Sequence, residues 1–349
     1  MAFDSVRGHD RVRGLLARVL ERGRLPHALL FAGPDGVGKK TLALTLARAL
    51  LCQGAASRPC DGCGVCRRIL RAMDGLDERR AAALDADDPL LANHRLHPDF
   101  VLAEPLRRGV RSEIRIEQVR ELVREIAGTP FEGRARAFVI DEAHLMTEQA
   151  ANSLLKSLEE PPPTSHVMLV SASPQALLPT IRSRCQMLRL GPLPLALLEA
   201  ELEARGLEPD EARLRATLAA GSLGAALAFE SEGYRALRDS LLGILEGLAG
   251  ASVLARMETA QRLQELEDPA LGLTGLRSLL RDVAALRAGA KPAGLLNADV
   301  ASRLERLAAG PLGGRAAALA EAAGETRAAL LRNAHKLLAM DLLLEKAAG

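Results

Sequence analysis

The sequence predicts an α/β domain, in which a parallel sheet is covered by helices on both faces, followed by a region made only of helices. Short apolar runs alternate with helical segments over residues 1–190, and the first run leads straight into a glycine-rich loop. After residue 190 the pattern is helical throughout. Strands that alternate with helices form parallel sheets, because each helix carries the chain back to the same end of the sheet.

Composition limits the possible classes of protein. The 349 residues are 48% hydrophobic and 26% charged, which is enough for two or three domains with a sizeable core. A formal net charge of +2 is too small to predict a surface that coats DNA. We see no apolar run long enough to cross a membrane and no signal peptide, so we expect a cytoplasmic protein without a membrane partner.

The predicted elements follow in order along the first 190 residues. Apolar runs predict strands at 29–32, 99–102, 137–140 and 167–170. Leu/Ala-rich or periodic segments predict helices at 40–51, 116–126 and 150–158. The last of these helices is stopped by the prolines that begin at Pro161.

Two further stretches divide the chain. Residues 67–96 are polar and Ala-rich, and we interpret them as a surface insertion that is partly helical. A Gly-Pro-Leu-Pro segment at residues 191–194 marks a domain boundary. A small helical unit then runs over 191–233, and a Leu/Ala/Arg-rich helical array over 234–349.

The glycine-rich loop predicts a phosphate site. Such a loop between a strand and a helix points backbone N–H groups at an anion, and the lysine that ends it contacts the terminal phosphates. The usual pattern places Ser or Thr directly after that lysine, because the hydroxyl binds Mg²⁺. Here the position holds Lys40, and Thr41 is rotated about 100° further around the helix. The alternatives are a degenerate site, with weak or no nucleotide binding, and a chance Gly-rich turn. The candidate nucleotide-binding residues are Gly33, Gly36, Gly38, Lys39, Thr41 and, at the end of another strand, Asp141.

Two acids end the apolar run at 137–140. Asp141 and Glu142 lie where ligands bind in open parallel sheets. In phosphoryl transfer the first would hold Mg²⁺ and the second would orient the attacking water, if the site is active. The alternative is an ordinary strand end with exposed acids.

Four of the five cysteines fall close together. Cys52, Cys60, Cys63 and Cys66 supply four thiolates, enough to close a tetrahedral zinc site with a structural role. Free thiols or a redox pair are the alternatives, although metal is favoured in a chain without a secretion signal. Cys185 stands apart and is expected to be a small buried apolar residue.

An arginine follows the last predicted strand and a short helix. Arg184 lies where such a side chain can reach a phosphate in a neighbouring subunit as an arginine finger. A solvated surface arginine is the alternative.

Together these motifs resemble the clamp-loader ATPase family of bacterial DNA polymerase III, within the AAA+ class. The resemblance covers most of residues 1–190, whereas the C-terminal half matches only in its helical character. Its most specific parts are Asn152 to Pro162 and the triplet Ser183-Arg184-Cys185. The other matching segments are the glycine loop, the cysteines, residues 97–99, residues 116–120 and Asp141-Glu142.

The resemblance implies an architecture and partners. It implies an AAA+ domain over 1–190 with a zinc module at about 52–66, a small helical lid over 191–233 and an all-α collar over 234–349. It implies a five-subunit ring with gamma/tau motor subunits and a delta subunit, which loads the sliding clamp onto primed DNA. Within that ring, Arg184 would complete the ATP site of the adjacent subunit.

Two departures indicate which branch of the family the chain resembles. Lys40 replaces the magnesium-binding hydroxyl, and Gly224 stands where the motor subunits carry a nucleotide-sensing arginine. Both are similar to the delta-prime subunit, whose own ATP site is degenerate. The intact Asp141-Glu142 pair points the other way and keeps a gamma/tau-type motor, or another self-sufficient AAA+ ATPase, as the alternative. A zinc-stabilised helical protein with a vestigial nucleotide fold is a third interpretation, and the Ser-Arg-Cys triplet argues against it.

Overall fold

The structure of this chain is a computed structural model. It describes residues 6–54, 58–108, 111–229, 231–248 and 269–330, together with the isolated positions 3, 266, 339, 340 and 343. By contact density the chain divides into two units, one formed by residues 1–197 and 221–225 and the other by 198–220 and 226–349. The three-part division at residues 190 and 233 stays a prediction. Residues 249–265 and 331–338 of the predicted collar, and 55–57 of the predicted zinc module, lie outside the described residues.

The first unit is built on a sheet with helices around it. Its strands are β1 (Ala28–Ala32), β2 (Asn93–His97), β3 (Phe100–Ala103), β4 (Leu106–Arg108), β5 (Arg111–Glu113), β6 (Arg136–Ile140), β7 (Ser165–Ser171) and β8 (Gln186–Arg189). Its helices are α1 (Asp10–Glu21), α2 (Lys39–Leu51), α3 (Gly64–Asp74), α4 (Leu76–Ala86), α5 (Ile116–Ile126), α6 (Glu148–Glu159) and α7 (Pro179–Arg184). Helix α8 (Leu195–Glu203) begins in the first unit and continues into the second.

The main sheet has the strand order β2-β3-β6-β7-β1-β8, and β4 and β5 form a separate hairpin. Strands β3, β6, β7, β1 and β8 pair in parallel, as the alternation of strands and helices predicted. The edge strand β2 pairs antiparallel to β3. Only two residues, Pro98 and Asp99, separate these strands, and a turn that short can join only antiparallel neighbours.

Alternate residues of each central strand enter two different cores. Phe31, Val139 and Met168 pack with helix α2 on one face of the sheet. Leu30 and Phe138, each one residue away along its strand, pack with α5 and α6 on the other. Successive strand residues point to opposite faces, so a sheet buried on both sides needs the continuous apolar runs seen in the sequence.

The predicted insertion contains more regular structure than a surface loop. Residues 67–96 include most of α3, all of α4 and the first part of β2, so the interpretation as a partly helical insertion holds only up to about residue 92. From Asn93 onward the chain belongs to the main sheet. Strand β2 escaped prediction because its sequence, Asn-His-Arg-Leu-His, is polar, although His94 and Leu96 are buried and Arg95 between them is exposed.

The second unit is helical in its described part. It contains α9 (Pro209–Leu218), α11 (Ser231–Leu248), α12 (Pro269–Arg287), α13 (Ala301–Ala309) and α14 (Ala316–Leu330), and α10 (Leu223–Ala228) straddles the division between the units. Helices α11 to α14 share one apolar core. A buried polar anchor supports it, since Asp282 accepts hydrogen bonds from the backbone N–H and the Nδ2 of Asn297, both at 2.8 Å. Among the described residues, no helix is long and apolar enough to cross a membrane.

Candidate functional site

The glycine-rich loop joins β1 to α2, as predicted. Gly36 and Gly38 adopt positive φ angles of 69° and 100°, which side chains other than glycine rarely adopt. Gly38 precedes the first turn of α2, so the N–H groups at this helix end face the loop. The Nζ of Lys39 donates to the carbonyl of Pro34 at 2.5 Å and lies 3.6 Å from the carboxylate of Asp35. Burial lowers the pKa of Lys39, although Asp35 partly opposes the shift.

Lys40 lies where a magnesium-binding hydroxyl would stand, and it binds the acid at the end of β6. Its Nζ is 2.8 Å from Oδ2 of Asp141 and also pairs with Glu104. Burial by itself would lower the pKa of Lys40, but these two carboxylates raise it, so the ammonium stays charged. Thr41, the other candidate hydroxyl, is exposed.

Glu104 is a member of the site that the sequence analysis missed. It directly follows β3. Its carboxylate also accepts hydrogen bonds from Nε and Nη2 of Arg80, at 2.8 Å each, and lies 3.2 Å from Nε2 of His94. Burial opposes ionisation of Glu104, but His94, Arg80 and Lys40 outweigh it and hold the pKa well below the usual range. Arg80 comes from α4, so the insertion takes part in the site. A sequence signal was present, because Glu104 ends an apolar run just as Asp141 does, and parallel neighbours such as β3 and β6 end at the same edge of a sheet.

The carboxylate of Glu142 pairs with a residue outside the phosphate loop. Its backbone has a positive φ of 46°, and its carboxylate pairs with Arg107 of strand β4. Burial raises the pKa of Glu142, while Arg107 opposes that shift. The structure therefore places Asp141 and Glu142 at one edge with the loop, but both already have cationic partners.

A short segment around Gly224 packs against the loop. The backbone N–H of Gly224 donates to the carbonyl of Gly36 at 2.9 Å. A Cβ at Gly224 would lie 3.0 Å from the Cα of Gly36, and one at Gly36 would lie 2.1 Å from Oγ of Ser222. A side chain at Gly36 would therefore displace the hydroxyl of Ser222, and one at Gly224 would press on the backbone of Gly36.

The four predicted cysteines converge. The Sγ atoms of Cys52, Cys60, Cys63 and Cys66 all lie within 4.8 Å of one another. Four thiolates around a tetrahedral zinc ion are about 3.8 Å apart, so the donor set fits that metal. Burial acts to raise the pKa of Cys63, but the N–H groups of Cys66 and Gln53 outweigh it and bring the pKa to about 6. For Cys66 burial prevails and raises the pKa to about 12.

The cysteine cluster is tied to the helix that begins at the phosphate loop. Cys52 directly follows α2, and the buried guanidinium of Arg48 in that helix lies 3.2 Å from the carboxylate of Asp61 in the cysteine segment. The backbone N–H of Gly54 donates to Sγ of Cys52 at 3.3 Å. A Cβ at Gly54 would lie 2.6 Å from Sγ of Cys60, so the cluster requires glycine at this position.

Arg184 is the last residue of α7. Its guanidinium donates to the carbonyl of Thr180 at 2.9 Å and pairs with Glu159 at the end of α6, and a third of the side chain is exposed. None of these partners belongs to the phosphate loop, so the structure does not bring Arg184 together with the other candidate site residues. Cys185, which follows it, is buried as expected.

Comparison with known proteins identifies the family. Residues 8–194, just over half of the chain, match the family described as DNA polymerase III, delta subunit. The DNA polymerase III subunit delta′ of Bacillus subtilis is 35% identical over 208 residues, which cover 60% of this chain and 55% of that protein. The delta′ subunit of Pseudomonas aeruginosa is 34% identical over 228 residues, 65% of this chain and 62% of that protein.

More distant similarities extend to other subunits. The tau subunit of Escherichia coli is 32% identical over 237 residues, 66% of this chain and 32% of that protein. The chain thus spans less than two thirds of the length of the relatives that it matches. A solved structure of a gamma subunit-related protein from Thermotoga maritima aligns with 96% of this chain and 97% of that chain, with a TM-score of 0.37 and 17% identity. From the match over residues 8–194, the chain belongs to the DNA polymerase III delta-subunit family, a clamp-loader family as its motifs predicted.

Proposed function

We propose that this chain is the delta-prime subunit of a DNA polymerase III clamp loader, with a degenerate ATP site of its own and an arginine finger that acts in trans. The observation that carries the proposal is the ion pair between Lys40 and Asp141 at 2.8 Å. A motor subunit needs a hydroxyl and a free carboxylate there to hold Mg²⁺. In this chain the ammonium of Lys40 takes the place of the hydroxyl and binds the carboxylate of Asp141.

The lid segment supports the same assignment. A motor subunit uses an arginine in the lid to sense the nucleotide, and here Gly224 packs with its backbone on Gly36. Because of this close approach, a side chain at Gly224 would require a small shift of the backbone at Gly36. The missing magnesium-binding hydroxyl and the missing sensing arginine would each lower ATP turnover at this chain's own loop.

Arg184 is available to a neighbouring subunit. Its pairing with Glu159 involves side chains that are 33% and 45% exposed, and such exposed ion pairs contribute only about 0–1 kcal/mol. A phosphate group offered by an adjacent subunit can therefore compete for the guanidinium, which binds phosphate oxygens bidentately. The role of this residue is electrostatic stabilisation of the charge that develops during phosphoryl transfer.

The proposed function also includes a metal, partner subunits and a cellular location. The cysteine cluster holds a structural Zn²⁺, because four thiolates close the coordination sphere and leave no position for water. The partners are gamma/tau motor subunits and a delta subunit in a five-subunit ring, and through the complex the sliding clamp and primed DNA. The place of action is the cytoplasm.

The test is ATP turnover by a loader reconstituted from this chain and its partners on primed DNA with clamp. We expect Arg184→Ala to slow hydrolysis at the adjacent motor site by about 10³-fold, the lower end of the usual contribution of an arginine finger. Arg182→Ala is the matched control, since it removes the same charge from the same short helix. Equal turnover of the wild type and Arg184→Ala would remove the finger assignment.

A gamma/tau-type motor is the second candidate. The intact Asp141-Glu142 pair and the 32% identity to a tau subunit favour it. In that case Glu142 would orient the attacking water in this chain's own site, and hydrolysis would depend on its carboxylate.

A further inference from the structure

The magnesium position of the phosphate loop is filled by a side chain of the protein itself. In an ordinary loop of this kind, the hydroxyl that follows the lysine and the acid at the strand end hold the ion between them. In this chain the residues at those two positions, Lys40 and Asp141, bind each other directly at 2.8 Å.

The acids around this position are poor ligands for a divalent ion, because each of them already has a cationic partner. Oδ1 of Asp141 accepts the backbone N–H of Glu142 at 3.0 Å, and its Oδ2 accepts from Lys40. Both oxygens of Glu104 accept from Arg80, and Glu142 pairs with Arg107. A hard cation such as Mg²⁺ requires free oxygen ligands in near-octahedral geometry, and an ammonium beside them would also repel it.

The phosphate-binding half of the loop, in contrast, remains. Gly36 and Gly38 keep the positive φ angles that let the backbone approach an anion, and α2 begins directly behind them. Lys39 is bound to Pro34, a carbonyl of the loop itself, and to Asp35, whose side chain is 86% exposed. A polyphosphate can replace both of these partners.

We propose that this loop binds a nucleoside triphosphate in its metal-free form, with the ammonium of Lys40 as the built-in cation. The inference rests on the degenerate site of the proposed function and defines its ligand. Arg80 and Glu104 are positioning residues, because Glu104 binds Lys40 beside Asp141 and Arg80 binds Glu104. The insertion thereby has a role, since its helix α4 supplies Arg80.

The test is a calorimetric titration of ATP into the isolated full chain, once with excess EDTA and once with excess MgCl₂. We expect the wild type to bind about tenfold more tightly in EDTA, a difference easily resolved in Kd. Lys40→Thr restores the hydroxyl and is expected to reverse the preference in favour of Mg²⁺. Lys40→Met keeps the length of the side chain without the charge and is expected to lose the binding seen in EDTA.

Two outcomes for the wild type would overturn the inference: tighter binding with Mg²⁺, or no binding of ATP under either condition. The wild-type titrations alone decide between these outcomes, so the result does not depend on the folding of a variant. Neither outcome touches the role of Arg184, which is tested separately by turnover in the assembled loader.

Discussion

At the scale of single residues, Glu104 is the centre of the charged network on the sheet edge. Its side chain is 10% exposed and pairs with Lys40, Arg80 and His94. A buried carboxylate with several donors is stable only while those donors remain, and removal of one partner of a buried pair leaves an uncompensated charge. The stability of this end of the sheet therefore depends on the ionisation of Glu104.

We predict that Glu104→Gln lowers the free energy of unfolding by about 3 kcal/mol at neutral pH, the lower end for breaking a buried ion pair, because Lys40 and Arg80 partly reach water. The folded pKa of Glu104 lies below the ordinary value of 4.5, so its contribution is complete above that pH and is lost as the pH falls below it. Urea denaturation between about pH 3 and pH 7, a range that brackets this ordinary value, should show a smaller loss of stability on acidification for the variant. Glu78→Gln, at an exposed position of α4, is the control. Parallel pH profiles of the variant and the wild type would contradict the prediction.

The sequence allowed some of these residues to be identified but not their pairing. Lys40 was recognisable as a departure because the loop pattern fixes what should follow Lys39. Its binding to Glu104 spans 64 positions, and Arg80 reaches the same carboxylate from the insertion. Contacts over such separations depend on how β3, β6 and α2 are placed in space, which local patterns do not specify.

At the scale of elements, apolar runs located the buried strands well. The predicted strand at 137–140 and helix at 116–126 agree with Arg136–Ile140 and Ile116–Ile126 to within one residue. The sheet edges were harder to predict. Strand β2 is polar and β8 has only four residues, of which Leu188 alone is buried. Edge strands bury less surface, so the hydrophobic pattern that predicts strands is weakest there.

At the cysteine cluster, the ion pair between Arg48 and Asp61 connects the cysteine segment to α2. We predict that Cys63→Ser releases zinc and lowers the free energy of unfolding by about 2 kcal/mol or more, since loss of a bound metal is among the large effects of single substitutions. Metal analysis should give one zinc per wild-type chain and none in the variant. Hydrogen exchange should increase at residues 58–74 and at the end of α2, while β7 stays protected.

Cys185→Ala is the control for this experiment, because it removes the cysteine that lies outside the cluster. It should keep the zinc. Unchanged metal content in Cys63→Ser would contradict the assignment of the cluster.

At the scale of the whole molecule, the parallel sheet determines which of the candidate site residues lie close together. The carboxyl ends of β1, β3 and β6 bring the phosphate loop, Glu104 and Asp141 to one edge. Arg184, at the end of α7, has its contacts on α6 and within α7. The chain thus carries a phosphate loop in which Lys40 is bound to Asp141, and an arginine whose contacts lie outside that loop. Such a separation suits a subunit that completes a neighbour's site.

Steady-state ATP hydrolysis by the reconstituted loader that carries Glu142→Gln in this chain alone tests whether the chain is a non-motor subunit. The substitution removes the carboxylate that would orient water in a working site and keeps the shape of the side chain. We predict turnover equal to that of the wild type, since in the proposed function hydrolysis occurs at the neighbouring motor subunits. A large loss of turnover would show that this chain hydrolyses ATP itself and would contradict its assignment as the non-motor subunit.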